Sequence, residues 1–202
     1  MRNKTLVLAS QSVRRLELLR QLGLQPVCQP VDVDEEMLEV ESAQALVARL
    51  AKLKARTGAQ QLFTTQGFNA DNPCVILGAD TVVELDGVIL GKPTGEAHAL
   101  NMLRSLSGRE HNVHSGVCIL DADTQEEHAA VVTTGVRFTA ISAQTALRYW
   151  HTGEPADKAG SYAIQGIGAQ FVVHVTGSYS NVVGLPLFET SELLTLAGIT
   201  LF

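Results

Sequence analysis

The alternation of short apolar runs with leucine-rich helical patterns is the feature that most restricts the fold of this chain. At the first junction, Thr5 to Ala9 predict a buried strand, residues 10–13 a turn, and Arg14 to Leu22 a helix. Hairpin signals interrupt the alternation, above all Asp86-Gly87, a strong two-residue turn. The sequence therefore predicts a single α/β domain over residues 1–202, with a mixed, twisted sheet flanked by helices and a central cleft between two lobes.

Bulk composition restricts the possible partners. The chain has 202 residues, is 46% hydrophobic and carries a net charge of -6, which indicates a globular protein and argues against general binding to nucleic acid or to an anionic membrane. Cys28, Cys74 and Cys118 are odd in number and far apart, each in an apolar run, so we expect buried, reduced thiols. No apolar stretch is long enough for a signal peptide or a membrane span. These observations predict a soluble, cytoplasmic protein.

Further along, the periodicity predicts the remaining elements. Ser42 can cap a second helix, and residues 58–73 have no clear period and predict a surface loop. Two long strand patterns follow a third helix, and a last helix is expected near Leu187 to Leu196. Between them, Gly153 to Gly168 is rich in glycine and predicts an irregular segment.

The first strand-to-helix junction is a candidate phosphate site. Ser10 and Ser12 precede a predicted helix whose first turn carries Arg14 and Arg15. A helix N-terminus attracts anions, whereas two arginines there act against the helix dipole unless an anion is bound. A serine cap with solvated arginines explains this stretch equally well. The glycine-rich pattern of a Walker loop is absent, which argues against a kinase or an ATPase.

Two short segments add candidate chemistry. An apolar run ends at residues 78–81, and ligands of open α/β sheets gather at the carboxyl ends of strands. Asp80 there can hold a divalent cation or orient a water, although an aspartate in a tight turn is the common alternative. Lys92, between Gly91 and Pro93, can reach a phosphate as a point charge or remain a solvated loop lysine.

The glycine-rich segment 153–168 combines backbone freedom with functional groups. Gln165 offers both a donor and an acceptor for the edge of a nucleobase. A long loop of this kind in a compact domain is more often functional than idle. By contrast, His111 and His114 are expected on opposite faces of a strand and make a poor metal pair. The functional groups of the segment belong to Glu154, Asp157, Lys158, Tyr162 and Gln165.

Taken together, these segments resemble the Maf family of nucleoside triphosphate pyrophosphatases, and the resemblance covers nearly the whole chain. It implies a Maf/ITPase-like fold and hydrolysis of a nucleoside triphosphate to a monophosphate and pyrophosphate, aided by Mg²⁺ or Mn²⁺. The segments that carry it are LASQSVRRLELLRQLG, DVDE, RLAKLKA, GADTVVELDGVILGKP, MLRSLSGREHNVHSGV, GEPADKAGSYAIQG and GSYSNVVGLPL.

The resemblance also implies roles for individual residues. Asp80 would be the proton acceptor, and Asp80 and Glu35 would hold the metal. Positions linked to substrate preference in the family are those of Arg14, Thr81 and Gln165, and their identities resemble the dTTP/UTP branch rather than the 7-methyl-GTP branch. Residues implied to contact the phosphates or to act in catalysis are Ser10, Arg14, Arg15, Glu35, Lys54, Asp80 and Lys92.

One position departs from the family pattern, and several readings stay open. Val13 stands where the family usually has proline, which would fix φ at the helix start. The substrate can include modified pyrimidine nucleotides, and the resemblance implies a homodimer and a link to cell-division arrest. A nucleotide-binding regulator of septum formation with little turnover is the alternative function. A phosphomonoesterase that releases orthophosphate is a third.

Overall fold

The computed structural model describes residues 4–65 and 73–201. Its seven strands form one sheet, and helices cover both faces. The strands are β1 Thr5–Leu8, β2 Val27–Cys28, β3 Cys74–Leu85, β4 Val88–Leu90, β5 Glu110–Asp121, β6 Glu127–Phe138 and β7 Val172–Thr176. The helices are α1 Val13–Gln21, α2 Ala43–Thr65, α3 Glu96–Leu106, α4 Ala143–Trp150, α5 Tyr179–Val183 and α6 Leu187–Leu196.

The sheet is mixed, as predicted. Its strand order is β2-β1-β3-β5-β6-β7, and β4 pairs with β3 outside this path. Strand β1 runs parallel to β2 and β3, whereas every later pairing is antiparallel. The predicted turn between β3 and β4 is also confirmed, with positive φ angles of 52° at Asp86 and 81° at Gly87.

The two faces of the sheet carry different layers. Along β3, alternate residues such as Leu77 and Ala79 join the core cluster that contains side chains of α1, α3, α4 and α6. Cys74 and Ile76, which point to the other face of β3, join a second cluster that includes the alanine-rich face of α2. Helix α2 therefore lies alone against one face of β3 and β5 among the described elements, and the other helices cover the opposite face.

Close contact between α2 and the sheet depends on two glycines. A Cβ added at Gly78 would lie 2.2 Å from the carbonyl oxygen of Ala51, and one at Gly116 would lie 2.2 Å from that of Val47. No side chain fits at either position without moving the helix. The glycines thus bring the backbone of α2 directly onto β3 and β5.

An interruption along one edge of β3 opens the cleft. Strand β1 pairs with residues 74–77 of β3, and β4 pairs with residues 83–85 on the same side. Residues 78–82 have neither neighbour. The chain leaving β1 and the chain leaving β4 flank this interruption, and both line the cleft.

Two sequence-based expectations about local structure were wrong. The loop expected from Gly58 is helical up to Thr65, because Ala59 and Leu62 continue the buried face of α2 and the buried Gly58 packs closely against the sheet. The rest of the predicted loop includes residues 66–72, which lie outside the described residues. Cys28 is exposed on β2, a two-residue strand at the end of the sheet, whereas Cys74 and Cys118 are buried and free as expected.

Within the described ranges 4–65 and 73–201, no helix combines the length and the apolar character needed to cross a bilayer.

Candidate functional site

The cleft has a volume of about 1060 Å³ and contains all nine residues selected from the sequence. They come from the β1–α1 turn, the first turn of α1, the segment before α2, α2 itself, β3, the segment after β4, and the loop before β7. The nine are Ser10, Arg14, Arg15, Glu35, Lys54, Asp80, Thr81, Lys92 and Gln165.

The start of α1 is capped, but its arginines are not simply solvated. Ser12 is the N-cap, and its hydroxyl accepts a hydrogen bond from the backbone N–H of Arg15. Ser10 accepts from the N–H of Ser12 at 3.1 Å. Val13, in the place of the usual proline, begins the helix and is 65% exposed. The cap therefore forms without proline, and the serine-cap alternative describes only part of this junction.

Arg15 is committed to partners inside the protein. Its Nε donates to the carbonyl oxygen of Gly184 at 2.9 Å, and its two terminal nitrogens donate to Ser10 and Thr81, both at 3.2 Å. All three partners are neutral. Burial lowers the pKa of Arg15, and the nearby charge of Asp80 opposes that effect. The guanidinium is thus fixed in place with its charge unneutralised by direct contact.

Behind Arg15, a small polar network joins β3 to β5 and α5. The hydroxyls of Thr81 and Ser115 lie 2.8 Å apart, and Thr81 also donates to the carbonyl oxygen of Gly184 at 3.3 Å. Asn181 is fully buried and donates to the carbonyl oxygen of Val113 at 3.0 Å. Sequence reasoning missed Ser115 and Gly184, because nothing in the local pattern of either residue marks it as a partner of Arg15.

Two other cations of the cleft are unpaired. Among residues 4–65 and 73–201, neither Arg14 nor Lys92 has a hydrogen bond or an ion pair with its side chain. Their charges are therefore available to an anion that enters the cleft. Lys158, which also lines the cleft, is instead paired with Asp157.

Asp80 lies in the middle of β3 and not at a strand end, so this expectation was wrong. The residue pairs with Gly116 of β5, and β3 continues for five more residues. The strand that does end here is the parallel neighbour β1, whose last residue pairs with Leu77. What opens the site is the missing neighbour along β3, rather than the end of β3 itself.

An ion cluster forms where Asp80 faces α2. The ammonium of Lys54 lies 2.7 Å from Oδ1 of Asp80 and 2.6 Å from Oε1 of Glu35. The side chains of Lys54 and Asp80 are each 10% exposed, whereas that of Glu35 is 60% exposed. No residue that the structure describes donates a hydrogen bond to Oδ2 of Asp80. One oxygen of this buried carboxylate is thus oriented by a cation, and the other is free to act.

The carboxylates suit a divalent cation that also binds phosphate. Mg²⁺ is commonly held by one or two carboxylates together with substrate phosphates and water. Asp80 and Glu35 provide two carboxylates around one point, both in contact with Lys54. The described part of the chain contains no group of three or more His, Cys, Asp or Glu residues suited to a metal. This donor set therefore fits a cation whose coordination is completed by its phosphate ligand.

The loop bearing Gln165 closes another side of the cleft. Tyr162 is buried, and its hydroxyl lies 2.8 Å from Nε2 of His111. Burial lowers the pKa of His111 to about 4, so this histidine is neutral. Gln165 itself is exposed within the cleft. His114 lies elsewhere, bonded to Thr133 at 2.8 Å, so the two histidines form no metal pair.

Comparison with known proteins places the chain in a family. The family model of Maf-like proteins matches residues 5–197. A dTTP/UTP pyrophosphatase of Pseudoalteromonas atlantica is 48% identical over 190 residues, covering 94% of this chain and 95% of the relative. A dTTP/UTP pyrophosphatase of Acinetobacter baylyi is 46% identical over 187 residues, covering 93% and 96%.

A solved structure, of a nucleoside-triphosphatase / dITP/XTP pyrophosphatase from Mycobacterium abscessus, aligns over 96% of each chain with 15% identity and a TM-score of 0.43, a similarity too low to support an argument. The family model and the two relatives need no such support, since they match along nearly the whole chain. The protein with this cleft belongs to the Maf family.

Proposed function

We propose that this protein hydrolyses dTTP and UTP to the nucleoside monophosphate and pyrophosphate. Family membership makes it a hydrolase of nucleoside triphosphates, and the relatives named above carry the dTTP/UTP preference in their names. The single observation that supports the chemistry best is the buried Asp80 carboxylate, held by Lys54 inside a cleft lined with cations.

In the proposed reaction, Asp80 accepts a proton from the attacking water. The water oxygen forms a bond to the α-phosphorus, the bond from that phosphorus to the bridging oxygen breaks, and pyrophosphate leaves with the electron pair. Lys54 holds Oδ1 of Asp80, so that the free oxygen, Oδ2, meets the water. General base catalysis of this kind contributes about 10² to 10⁴ in rate.

The charge inside the cleft supports a role for a divalent cation. Five cations and four carboxylates line it, which leaves a net charge of about +1. A triphosphate carries about four negative charges, and phosphoryl transfer needs them offset. Mg²⁺ or Mn²⁺ held by Asp80 and Glu35 would supply positive charge beside the α-phosphate. The cations are Arg14, Arg15, Lys54, Lys92 and Lys158, and the carboxylates are Asp32, Glu35, Asp80 and Asp157.

Different residues of the cleft have different roles in binding the nucleotide. Neither Arg14 nor Lys92 forms a side-chain hydrogen bond or ion pair with another described residue, and we assign both to the phosphates. Arg15 and Ser10 form the fixed wall against which the phosphates lie. Gln165 and Thr81 occupy the positions assigned to pyrimidine preference. Once a nucleobase covers these side chains, a mismatched base leaves their polar groups unpaired, and this gives discrimination.

Product analysis tests the proposal. Purified protein is incubated with Mg²⁺ or Mn²⁺ and with dTTP, UTP, CTP or GTP, and the products are separated. We expect monophosphate and pyrophosphate, formed fastest from dTTP and UTP. Release of orthophosphate with diphosphate would move the attack to the γ-phosphorus and overturn the mechanism. Fast hydrolysis of GTP or CTP would overturn the pyrimidine preference.

A nucleotide-binding regulator of septum formation is the alternative function. A protein that only binds a polyanion gains little from a buried carboxylate beside it, so Asp80 argues against this alternative. Binding of dTTP without turnover would favour it. A homodimer and a link to cell-division arrest remain predictions of the resemblance, a cytoplasmic location remains a prediction from the sequence composition, and action on modified pyrimidine nucleotides remains an alternative.

A further inference from the structure

The loop that carries Gln165 is held by a hydrogen-bond network that the proposed reaction does not use. Residues 153–168 contain only short 3-10 turns, at Glu154–Asp157, at Ala159–Ser161 and at the beginning of Ile167–Phe171. Most backbone amides of such a segment need partners from outside regular secondary structure. The position of Gln165 therefore depends on whatever side chains bind the backbone around it.

Glu154 binds the backbone just after Gln165. Its Oε2 accepts a hydrogen bond from the N–H of Ile167 at 2.7 Å, and its Oε1 accepts one from the N–H of Gly168 at 2.9 Å. Burial alone would raise the pKa of Glu154, but the hydrogen bonds from Tyr149 and from these two amides lower it. An ionised carboxylate forms stronger hydrogen bonds than a neutral acceptor does. Glu154 is thus a charged side chain that holds the backbone on the C-terminal side of Gln165.

Tyr149 binds the backbone just before Gln165. Its hydroxyl accepts a hydrogen bond from the N–H of Ala163 at 3.1 Å and donates one to Oε1 of Glu154 at 2.6 Å. The residue is 2% exposed, and its ring packs edge-on against Phe171 with centroids 5.1 Å apart. Helix α4 therefore supplies a rigid support to which both ends of the Gln165 turn are attached.

Two glycines of the loop allow this close approach. A Cβ at Gly166 would lie 2.1 Å from Oε2 of Glu154, and a Cβ at Gly168 would lie 2.5 Å from the hydroxyl oxygen of Tyr149. Side chains at these positions would push the carboxylate and the hydroxyl away from the backbone. The loop sequence and the two clamping side chains are thus adapted to each other.

The same loop is also attached to the segment that carries Lys92. The N–H of Gly160 donates to the carbonyl oxygen of Gly91 at 3.1 Å. A shift of the loop as a whole would disturb the cation beside Gly91. A local change around Gln165, by contrast, leaves this link in place, and this difference can be measured.

We propose that Glu154 and Tyr149 are positioning residues that hold Gln165 in the geometry that selects among pyrimidine nucleotides. Neither residue lines the cleft, so both act through the loop and not by touching the substrate. The inference rests on the proposed function, because it needs a nucleobase beside Gln165.

The variants Glu154→Gln and Tyr149→Phe test the inference. Glutamine keeps the shape but has one acceptor oxygen, so it leaves either the amide of Ile167 or that of Gly168 without a partner. Phenylalanine keeps the packing of Tyr149 and removes both of its hydrogen bonds. Glu192→Gln, at an exposed position on α6, is the matched control.

Steady-state kinetics with UTP and CTP, and inhibition by tripolyphosphate, give the readouts. We expect KM for UTP to rise about five- to tenfold, which corresponds to the loss of one hydrogen bond of ordinary strength. We expect kcat to change less than about twofold and the preference for UTP over CTP, measured as the ratio of kcat/KM, to fall about fivefold. Tripolyphosphate has no base, so its inhibition constant should stay at the parent value.

Each outcome decides the question. Thermal unfolding first establishes that both variants fold, and if Glu154→Gln does not, Tyr149→Phe carries the test. Unchanged KM and selectivity in a folded variant, or a fall in kcat alone, would overturn the positioning role. So would weaker inhibition by tripolyphosphate, because it would place the effect at the phosphates.

A further variant, Gln165→Ala, separates this inference from the function it rests on. If Gln165→Ala loses selectivity while Glu154→Gln and Tyr149→Phe keep it, the positioning role is wrong and the proposed function stands. If Gln165→Ala also keeps its selectivity, base reading by Gln165 is wrong, and the positioning role is wrong with it.

Discussion

Asp80 and Thr81 are neighbours on β3, yet they belong to two different environments. Asp80 points toward α2 and lies in an ion cluster with Lys54 and Glu35. Thr81 points to the opposite face, where Arg15 is held by neutral oxygen atoms only. Because side chains alternate along β3, its two sides differ. The side of Asp80, here called the charged face, carries an ion cluster suited to proton transfer. The side of Thr81, here called the neutral face, carries a network of neutral partners suited to positioning. Four predictions test this division, from the largest expected effect to the smallest.

The largest effect is expected for Asp80→Asn. The amide keeps the shape of the carboxylate but accepts no proton, so kcat should fall by about 10² to 10⁴ while nucleotide binding persists. Steady-state rates and equilibrium binding of dTTP measure the two. Asp86→Asn, at the exposed turn, is the matched control and should keep the parent rate. An Asp80→Asn enzyme with the parent rate would show that the charged face is not the catalytic one.

Gly78→Ala should disrupt the charged face through the backbone. The new Cβ would lie 2.2 Å from the carbonyl oxygen of Ala51, so α2 must move away and Lys54 with it. We expect unfolding free energy to fall by about 3 kcal/mol, as for other overpacked sites, and activity to fall as well. Urea unfolding measures the first. Gly91→Ala adds the same methyl group into open space and should leave stability unchanged.

The neutral face should show its own pH dependence through His111. This residue shares the Thr81 face, and burial lowers its pKa to about 4 from an ordinary value of 6.5. The unfolded chain binds the proton first, so stability is full above pH 6.5 and is lost as the pH falls toward 4. Between pH 7 and pH 5 we expect a loss of about 2 kcal/mol in unfolding free energy. In His111→Gln, urea unfolding should show a much smaller change between these two pH values, and an equal change would contradict this assignment.

The smallest effect is expected for Thr81→Val. Valine keeps the volume and removes the hydroxyl. Arg15 then loses one of its three hydrogen-bond partners, and Ser115 loses its hydrogen bond with Thr81. We expect stability to fall by about 1 kcal/mol and KM for dTTP to rise about threefold, with kcat nearly unchanged. Thr81→Ser retains the hydroxyl and should restore the parent KM. A large fall in kcat for Thr81→Val would mean that the two faces are not separable.

Sequence patterns were informative where regular secondary structure builds the site. The apolar run of β1, the cap at Ser12 and the turn at Asp86 follow local rules, and the structure has all three. The predicted loop from residue 58 was wrong for residues 58–65, because the segment shows no clear period although it continues α2 and its Gly58 packs closely against the sheet. Local patterns show the glycine but not what lies against it.

Contacts between residues that are distant along the chain could not be predicted from local sequence patterns. Arg15 and the carbonyl of Gly184 are 169 residues apart, and Lys54 and Asp80 are 26 apart. The sequence pattern selected Asp80 and the family resemblance selected Lys54, and neither indicated that the two form an ion pair. Only the register of β3 against β5 and the close approach of α2 bring such groups together.

Asp80 and Gln165 are held by separate parts of the fold, and this matters for engineering the substrate range. Asp80 lies on a strand that is paired along its length with β5, so its position is insensitive to the lengths of the surrounding loops. Gln165, one of the two residues assigned to the nucleobase, lies on a loop that leaves the scaffold after α4 and rejoins it at β7. Grafting another loop between α4 and β7 is therefore a route to new substrate ranges that leaves the hydrolytic centre in place, provided that the graft retains a link equivalent to that between Gly160 and Gly91.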